Sequence, residues 1–210
     1  MRPRVAVSQR RDHYPARDEV RDALDVRLSL LLWELGFMPV PMASAIGNHQ
    51  EYLETLMPDA VVLSGGNDIG HVVERDRLET AMLYHAASHH LPVLGICRGM
   101  QMMNHYQGGV LRPVSGHVTV RHRIFGPLVG PGGYNVNSYH DHGVLDADLG
   151  KDLEAVAWAE DGVLEALRHL ELPWLGIMWH PERGSPIADS DQQLIHRHLK
   201  GLPLSFAQGT

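Results

Sequence analysis

At 210 residues with 44% hydrophobic side chains, the chain is long enough to bury a sizeable core as a single domain over residues 1–210. A net charge of −7 without runs of like charge excludes the basic footprint of a nucleic-acid binder. One cysteine excludes an intrachain disulfide, and no apolar stretch reaches membrane-spanning length. Met1 to Ser8 is too poor in apolar residues for a secretory leader, so the expected compartment is cytoplasmic.

Arg4 to Ser8 reads as a first strand. Leu24, Leu28, Leu31 and Leu35 recur at helical spacing, and Gly36 closes that helix. Phe37 to Met42 is extended, its prolines suiting a sheet edge. Ala60 to Leu63 is a buried-type strand running into Ser64-Gly65-Gly66, and Arg75 to His90 is a second helix. Pro92 to Ile96 is the next strand, with a helix starting near Arg98. This order predicts an α/β fold, a mainly parallel sheet with helices on both faces and functional groups at the carboxyl ends of its strands.

The second half is more antiparallel in character. Leu153 to Ala159 and Val163 to Leu167 flank Glu160-Asp161-Gly162, a hairpin signal. Trp174 to Trp179 is a further strand, Asp191 to Lys200 a closing helix, and Gly126 to Gly133 reads as a long surface loop.

The single cysteine lies in Gly95-Ile96-Cys97-Arg98-Gly99, at the turn from strand to helix. Such a turn holds a nucleophile proud of the sheet. Helix N-terminal amides and a neighbouring imidazolium would favour the thiolate there. The competing reading is an inert, buried cysteine on a core strand. His180-Pro181-Glu182 changes the balance, because residues two apart in extended chain share a side. Glu182 can then orient the His180 imidazole against the thiol, the logic of a triad.

These motifs, in this order from about Val5 to Arg183, resemble the class I glutamine amidotransferase-like superfamily, whose fold is flavodoxin-like. Cys97-Arg98-Gly99 is similar to its γ-glutamyl-γ-aminobutyrate hydrolase branch, as are Ser64-Gly65-Gly66-Asn67-Asp68-Ile69, Arg75-Asp76-Arg77-Leu78-Glu79, Gly108-Gly109-Val110-Leu111 and Asn137-Ser138-Tyr139-His140. The short link from Asp68 to Arg75, Gly116-His117-Val118 with Arg121-His122, and Ile177 to Arg183 resemble the hydrolases of γ-glutamyl-CDP-amidate, which serve capsule biosynthesis. Asp141-His142 departs from the pattern, since relatives often carry His or Asn and then Gln there.

The resemblance implies a hydrolase of a γ-glutamyl C–N bond with a Cys97–His180–Glu182 triad and no cofactor. It implies an oxyanion hole from the backbone N–H groups of Gly66 and Arg98. Gly65, Gln101, Asn137, Ser138, Tyr139 and His140 would contact the small-molecule γ-glutamyl substrate. A glutaminase subunit feeding a synthetase, and a non-catalytic binding protein on the same scaffold, are the competing functions.

His117 to Arg123 is a basic segment in an acidic chain. As a strand it would place His117, Thr119, Arg121 and Arg123 on one face, and with Arg112 that face suits a diphosphate. The 15 histidines form tight pairs at His140-x-His142 and His196-x-His198, but none has carboxylates at ligand spacing. No metal site is therefore expected. Trp33, Phe37 and Trp158 are candidates for the core or for a homodimer interface.

Overall fold

The computed structural model describes residues 1–204. Strands β1 (Arg4–Val7), β2 (Arg10–Tyr14) and β3 (Glu19–Ala23) precede helix α1 (Val26–Glu34). Then come β4 (Met38–Pro41), α2 (His49–Leu56), β5 (Ala60–Leu63), α3 (Val73–His89), β6 (Val93–Ile96) and α4 (Arg98–Tyr106). The second half comprises β7 (Arg112–Pro113), β8 (Val118–Gly126), β9 (Gly130–Tyr139), β10 (His142–Gly143), β11 (Leu153–Ala159), β12 (Leu164–His169), β13 (Trp174–Ile177) and α5 (Asp189–Leu199).

One nine-stranded sheet, ordered β4-β1-β5-β6-β13-β12-β11-β8-β9, organises the molecule. Strands β4, β1, β5, β6 and β13 run parallel, and the remainder pair antiparallel. Strands β5, β6 and β13 are fully buried runs, as expected for parallel strands covered on both faces. Their register aligns Leu63 with Gly95 and Ile96 with Ile177. The segments leaving their carboxyl ends, at Ser64, Cys97 and Met178, are therefore neighbours.

Three departures from the sequence reading have physical causes. Gly126 to Gly133 is largely strand, not loop: β8 and β9 form a long hairpin turning at residues 127–129. Its glycines allow φ of +138° at Gly126 and close approach of that residue to the Val156 carbonyl. Second, β2 and β3 form a separate hairpin invisible to apolar alternation, because Arg10-Arg11-Asp12-His13-Tyr14 is almost wholly polar. Third, α2, on which the sequence reading was silent, is capped by Asn48, whose Oδ1 accepts from Glu51 N and whose Nδ2 donates to Glu51 Oε2.

Of the aromatic candidates, Phe37 is buried in the core, Trp158 is half-buried, and Trp33 is exposed beneath the Arg2 guanidinium.

Helix α5 closes over the parallel half through His198, whose Nε2 lies 2.7 Å from the Val93 carbonyl oxygen. Burial pushes its pKa down to about 4, against an opposing hydrogen bond to Val93. Between about 4 and 6.5 the unfolded chain binds a proton that the folded chain refuses, so stability falls as pH drops through that window. His198→Gln keeps an N–H donor without titrating and is expected to flatten this acid limb of Tm against pH. Superimposable limbs for wild type and variant would contradict the assignment.

Candidate active site

Cys97 links β6 to α4 with φ +53° and ψ −108°, a conformation that non-glycine residues hold only under constraint. The constraint is visible. Cys97 N–H donates to the Ile177 carbonyl at 2.7 Å, tying the turn to β13. A Cβ on Gly99 would lie 2.1 Å from the Leu63 carbonyl oxygen, and one on Gly95 2.6 Å from the Gly99 backbone. Both glycines thus let α4 approach the sheet at backbone distance, which fixes the thiol above the strand ends.

Strand β13 delivers His180 to the same place. Its Nδ1 donates to Glu182 Oε1 at 2.7 Å, with both side chains buried. Burial would push the His180 pKa down, but hydrogen bonds with Cys97 and Glu182 outweigh it and raise the value to about 9. The imidazole is therefore cationic at neutral pH and stands between thiol and carboxylate. Gly65 completes the contact: a Cβ there would sit 2.7 Å from His180 Cε1 and 3.7 Å from Cys97 Cβ. Asn137 brackets His180, accepting from its N–H and donating to its carbonyl, each at 2.8 Å.

A buried ion network holds the Ser64-Gly65-Gly66 loop. Arg75 donates to the carbonyls of Ser64 (2.6 Å), Gly65 (3.1 Å) and Gly66. A trans peptide directs each following N–H opposite to its carbonyl, so the amides of Gly65, Gly66 and Asn67 turn away from Arg75. Glu79 accepts from Arg75 Nε at 2.9 Å and also from Arg98, which pairs with Asp76 as well. The Arg98 side chain thus ties the nucleophile's helix to α3, while its backbone N–H lies in the first turn after the thiol.

The family model for Glutamine amidotransferase class-I matches residues 34–198. The chain belongs to this family. A γ-glutamyl-CDP-amidate hydrolase of Campylobacter jejuni is 33% identical over 70% of this chain and 72% of its own length. YvdE of Lactococcus lactis, a glutamine amidotransferase-like protein, is 34% identical over 64% and 70% respectively. A GMP synthase component from Thermoplasma acidophilum superposes with a TM-score of 0.72 at 18% identity, covering 95% of this chain and 94% of that one. The α/β architecture is thus that of class I amidotransferases, and the chain is a hydrolase-like enzyme of that class.

A cleft of about 330 Å³ opens beside His180, lined by Arg10, Asp12, Gly65, Gly66, Glu182 and Arg183 among others. The β2–β3 hairpin forms one wall, docked by Asn67, which accepts from Arg11 N–H at 2.8 Å and donates to the Arg11 carbonyl at 3.2 Å. Sequence reasoning missed Arg10 and Asp12, because nothing local marks them.

The other expected contacts divide. Tyr139 is partly exposed and presents its ring edge-on to His180 at 5.7 Å. Gln101 donates to the His142 carbonyl at 2.8 Å. Asn137 and Ser138 are engaged with backbone, the latter donating to the His117 carbonyl at 2.6 Å.

The basic face does not assemble. A bulge at Thr119, with φ +56°, breaks the alternation, so His117 and His122 turn inward while Arg121 and Arg123 stay exposed. Arg112 is paired with Asp148, and Arg121 donates to Asn135 across its own hairpin, on a cavity that it shares with Asn137 and His180. The histidines also depart from expectation: among the described residues, His140 meets His117 and buried Glu165, with potential ligand atoms within 4.8 Å of one another.

Proposed function

We propose that this protein hydrolyses the γ-glutamyl C–N bond of a small molecule, with γ-glutamyl-CDP-amidate the preferred substrate. The observation that carries the reading is the meeting of Cys97, on a strained turn, with an imidazole raised to about 9 and held by Glu182. The Cys97 thiolate attacks the γ-carbonyl carbon. Backbone N–H groups of Gly66 and Arg98 stabilise the oxyanion, each worth about 3 kcal/mol. The C–N bond breaks as His180 gives its proton to the departing nitrogen, leaving a glutamyl thioester. His180 then takes a proton from water, whose oxygen attacks the thioester and releases glutamate and the thiol.

The named Campylobacter jejuni relative supports the substrate. In this reading Tyr139, at the mouth beside His180, contacts the glutamyl end, whereas Gln101, Asn137 and Ser138, each hydrogen-bonded to backbone, act as positioning residues. The uncrosslinked thiol supports a cytoplasmic setting.

Glutamate release from γ-glutamyl-CDP-amidate, γ-glutamyl-γ-aminobutyrate and glutamine tests the proposal, with Cys97→Ala as control. Turnover is expected to be strongest on the first and lost in the variant. Preference for γ-glutamyl-γ-aminobutyrate would replace the leaving group. Weak turnover of glutamine alone would favour a glutaminase lacking its synthetase, and no release at all would leave a binding protein.

A further inference from the structure

The antiparallel half of the sheet contains a buried cluster apart from the thiol, and it includes His140, which the resemblance would place on the substrate but which turns inward to Glu165. His117 precedes β8, His122 lies on it, His140 follows β9 and Glu165 lies on β12. Glu165 Oε1 is approached by His122 Nε2 at 3.1 Å, His140 Nε2 at 3.3 Å and His117 Nδ1 at 3.5 Å. Glu165 is fully buried, and the His117 and His140 side chains are 3% and 1% exposed.

The far nitrogens of two rings are already taken. His117 Nε2 lies 2.8 Å from Asp161 Oδ2, and His140 Nδ1 lies 3.0 Å from the His142 carbonyl oxygen. Since both partners are acceptors, the far nitrogen of each ring carries the proton, and in a neutral ring the near nitrogen presents a lone pair. With both rings neutral, two lone pairs face a buried carboxylate, an arrangement that a cation at its centre resolves, whereas protonated rings would instead pair directly with Glu165, as the 3.3 Å contact of His140 permits. Buried His117 Nδ1, His122 Nε2 and Glu165 Oε2 have no hydrogen-bond partner. At 3.1 Å this means that the His122 N–H is not directed at Glu165.

We propose that His117, His140 and Glu165 bind a divalent metal ion of the Zn²⁺ class, with His122 beside the open coordination position. Metal–ligand bonds of about 2.0–2.2 Å in a tetrahedron separate ligand atoms by roughly 3.3–3.6 Å, which brackets the His140 and His117 distances to Glu165. Imidazole and carboxylate donors suit zinc, cobalt or nickel over magnesium or calcium. Asp161 and the His142 carbonyl are the outer partners that orient metal-bound histidines. The ion would pin the β8–β9 hairpin to β12. Gln101 donates to the same His142 carbonyl, which joins this brace to the helix following Cys97.

The test is a Co²⁺ titration of tag-free, chelator-treated full-length protein, in wild type and in Cys97→Ala to exclude the thiol as a ligand. The expected result is one equivalent bound in both proteins, with visible d–d bands of low-coordinate Co²⁺. Zn²⁺ should displace it and raise Tm. Asp161→Asn, at a half-exposed position that tolerates substitution, is expected to weaken binding about 10–100-fold. Glu165→Gln is expected to abolish it. Absence of d–d bands, with Tm indifferent to chelator and Zn²⁺, would overturn the proposal and leave histidinium–carboxylate pairing. Unchanged affinity in both Asp161→Asn and Glu165→Gln would also overturn it, by placing the ion elsewhere. Because Cys97→Ala should still bind, a failed hydrolytic reading and a failed metal site are distinguishable.

Discussion

Glu182→Gln is expected to lower kcat for γ-glutamyl hydrolysis by about 10²–10⁴-fold, a loss smaller than removal of the Cys97 thiol or of the His180 imidazole. The substitution preserves size and burial, so Tm should change little. What it removes is the anion 2.7 Å from His180 Nδ1, one of the two groups that raise the imidazole against the opposing effect of burial. In the wild type the alkaline limb of kcat/KM should lie near 9, where His180 loses the proton that the departing nitrogen requires. Without the Glu182 charge the imidazolium is less stable, so that limb should move to lower pH. A variant with both its kcat and its alkaline limb unchanged would remove Glu182 from the proposed machinery. The same profile measured in Asn137→Ala, which frees the His180 backbone, provides a comparison for mere loosening.

Glu79→Ala is expected to destabilise the fold by about 3–5 kcal/mol. Its two oxygens sit between Arg75 and Arg98, and truncation leaves two guanidiniums buried beside one another with only Asp76 to offset them. At roughly 2–4 °C per kcal/mol for a chain of this size, Tm should fall by about 6–20 °C. The network also aligns the Ser64-Gly65-Gly66 carbonyls on Arg75, so kcat should drop even at temperatures where the variant is folded. Thermal unfolding followed by circular dichroism, with turnover measured well below the transition, separates the two effects. A Tm within about 2 °C of wild type would show that the network contributes little to stability.

These expectations rest on features of unequal legibility. The parallel strands β1, β5, β6 and β13 were readable because each is a short apolar run bounded by Pro, Gly or polar residues. Arg98 was readable as a family marker and, through the resemblance, as an oxyanion-hole amide, yet the use of its side chain was not: it turns back to Glu79 and Asp76. The β2–β3 hairpin escaped because its stability comes from Asn67 and from the contact of Asp22 with Ser44 rather than from an apolar face.

By itself the sequence determined what is local. It placed the thiol in a glycine-flanked turn, set His180 two residues from Glu182, and marked the individual strands, whereas the parallel pairing of β13 with β6 came from the structure. Backbone sterics and side-chain alternation act over a few residues, so the residues themselves disclose them. The tertiary structure decided what depends on register and on convergence of distant segments. One extra residue at Thr119 reversed which side chains of β8 face inward, moving His122 toward Glu165 and Arg121 toward solvent. A bulge shifts every later side chain to the opposite face. No spacing within the chain could have announced that His117, His140 and Glu165 would meet, because pairing between strands, not sequence distance, brings them together.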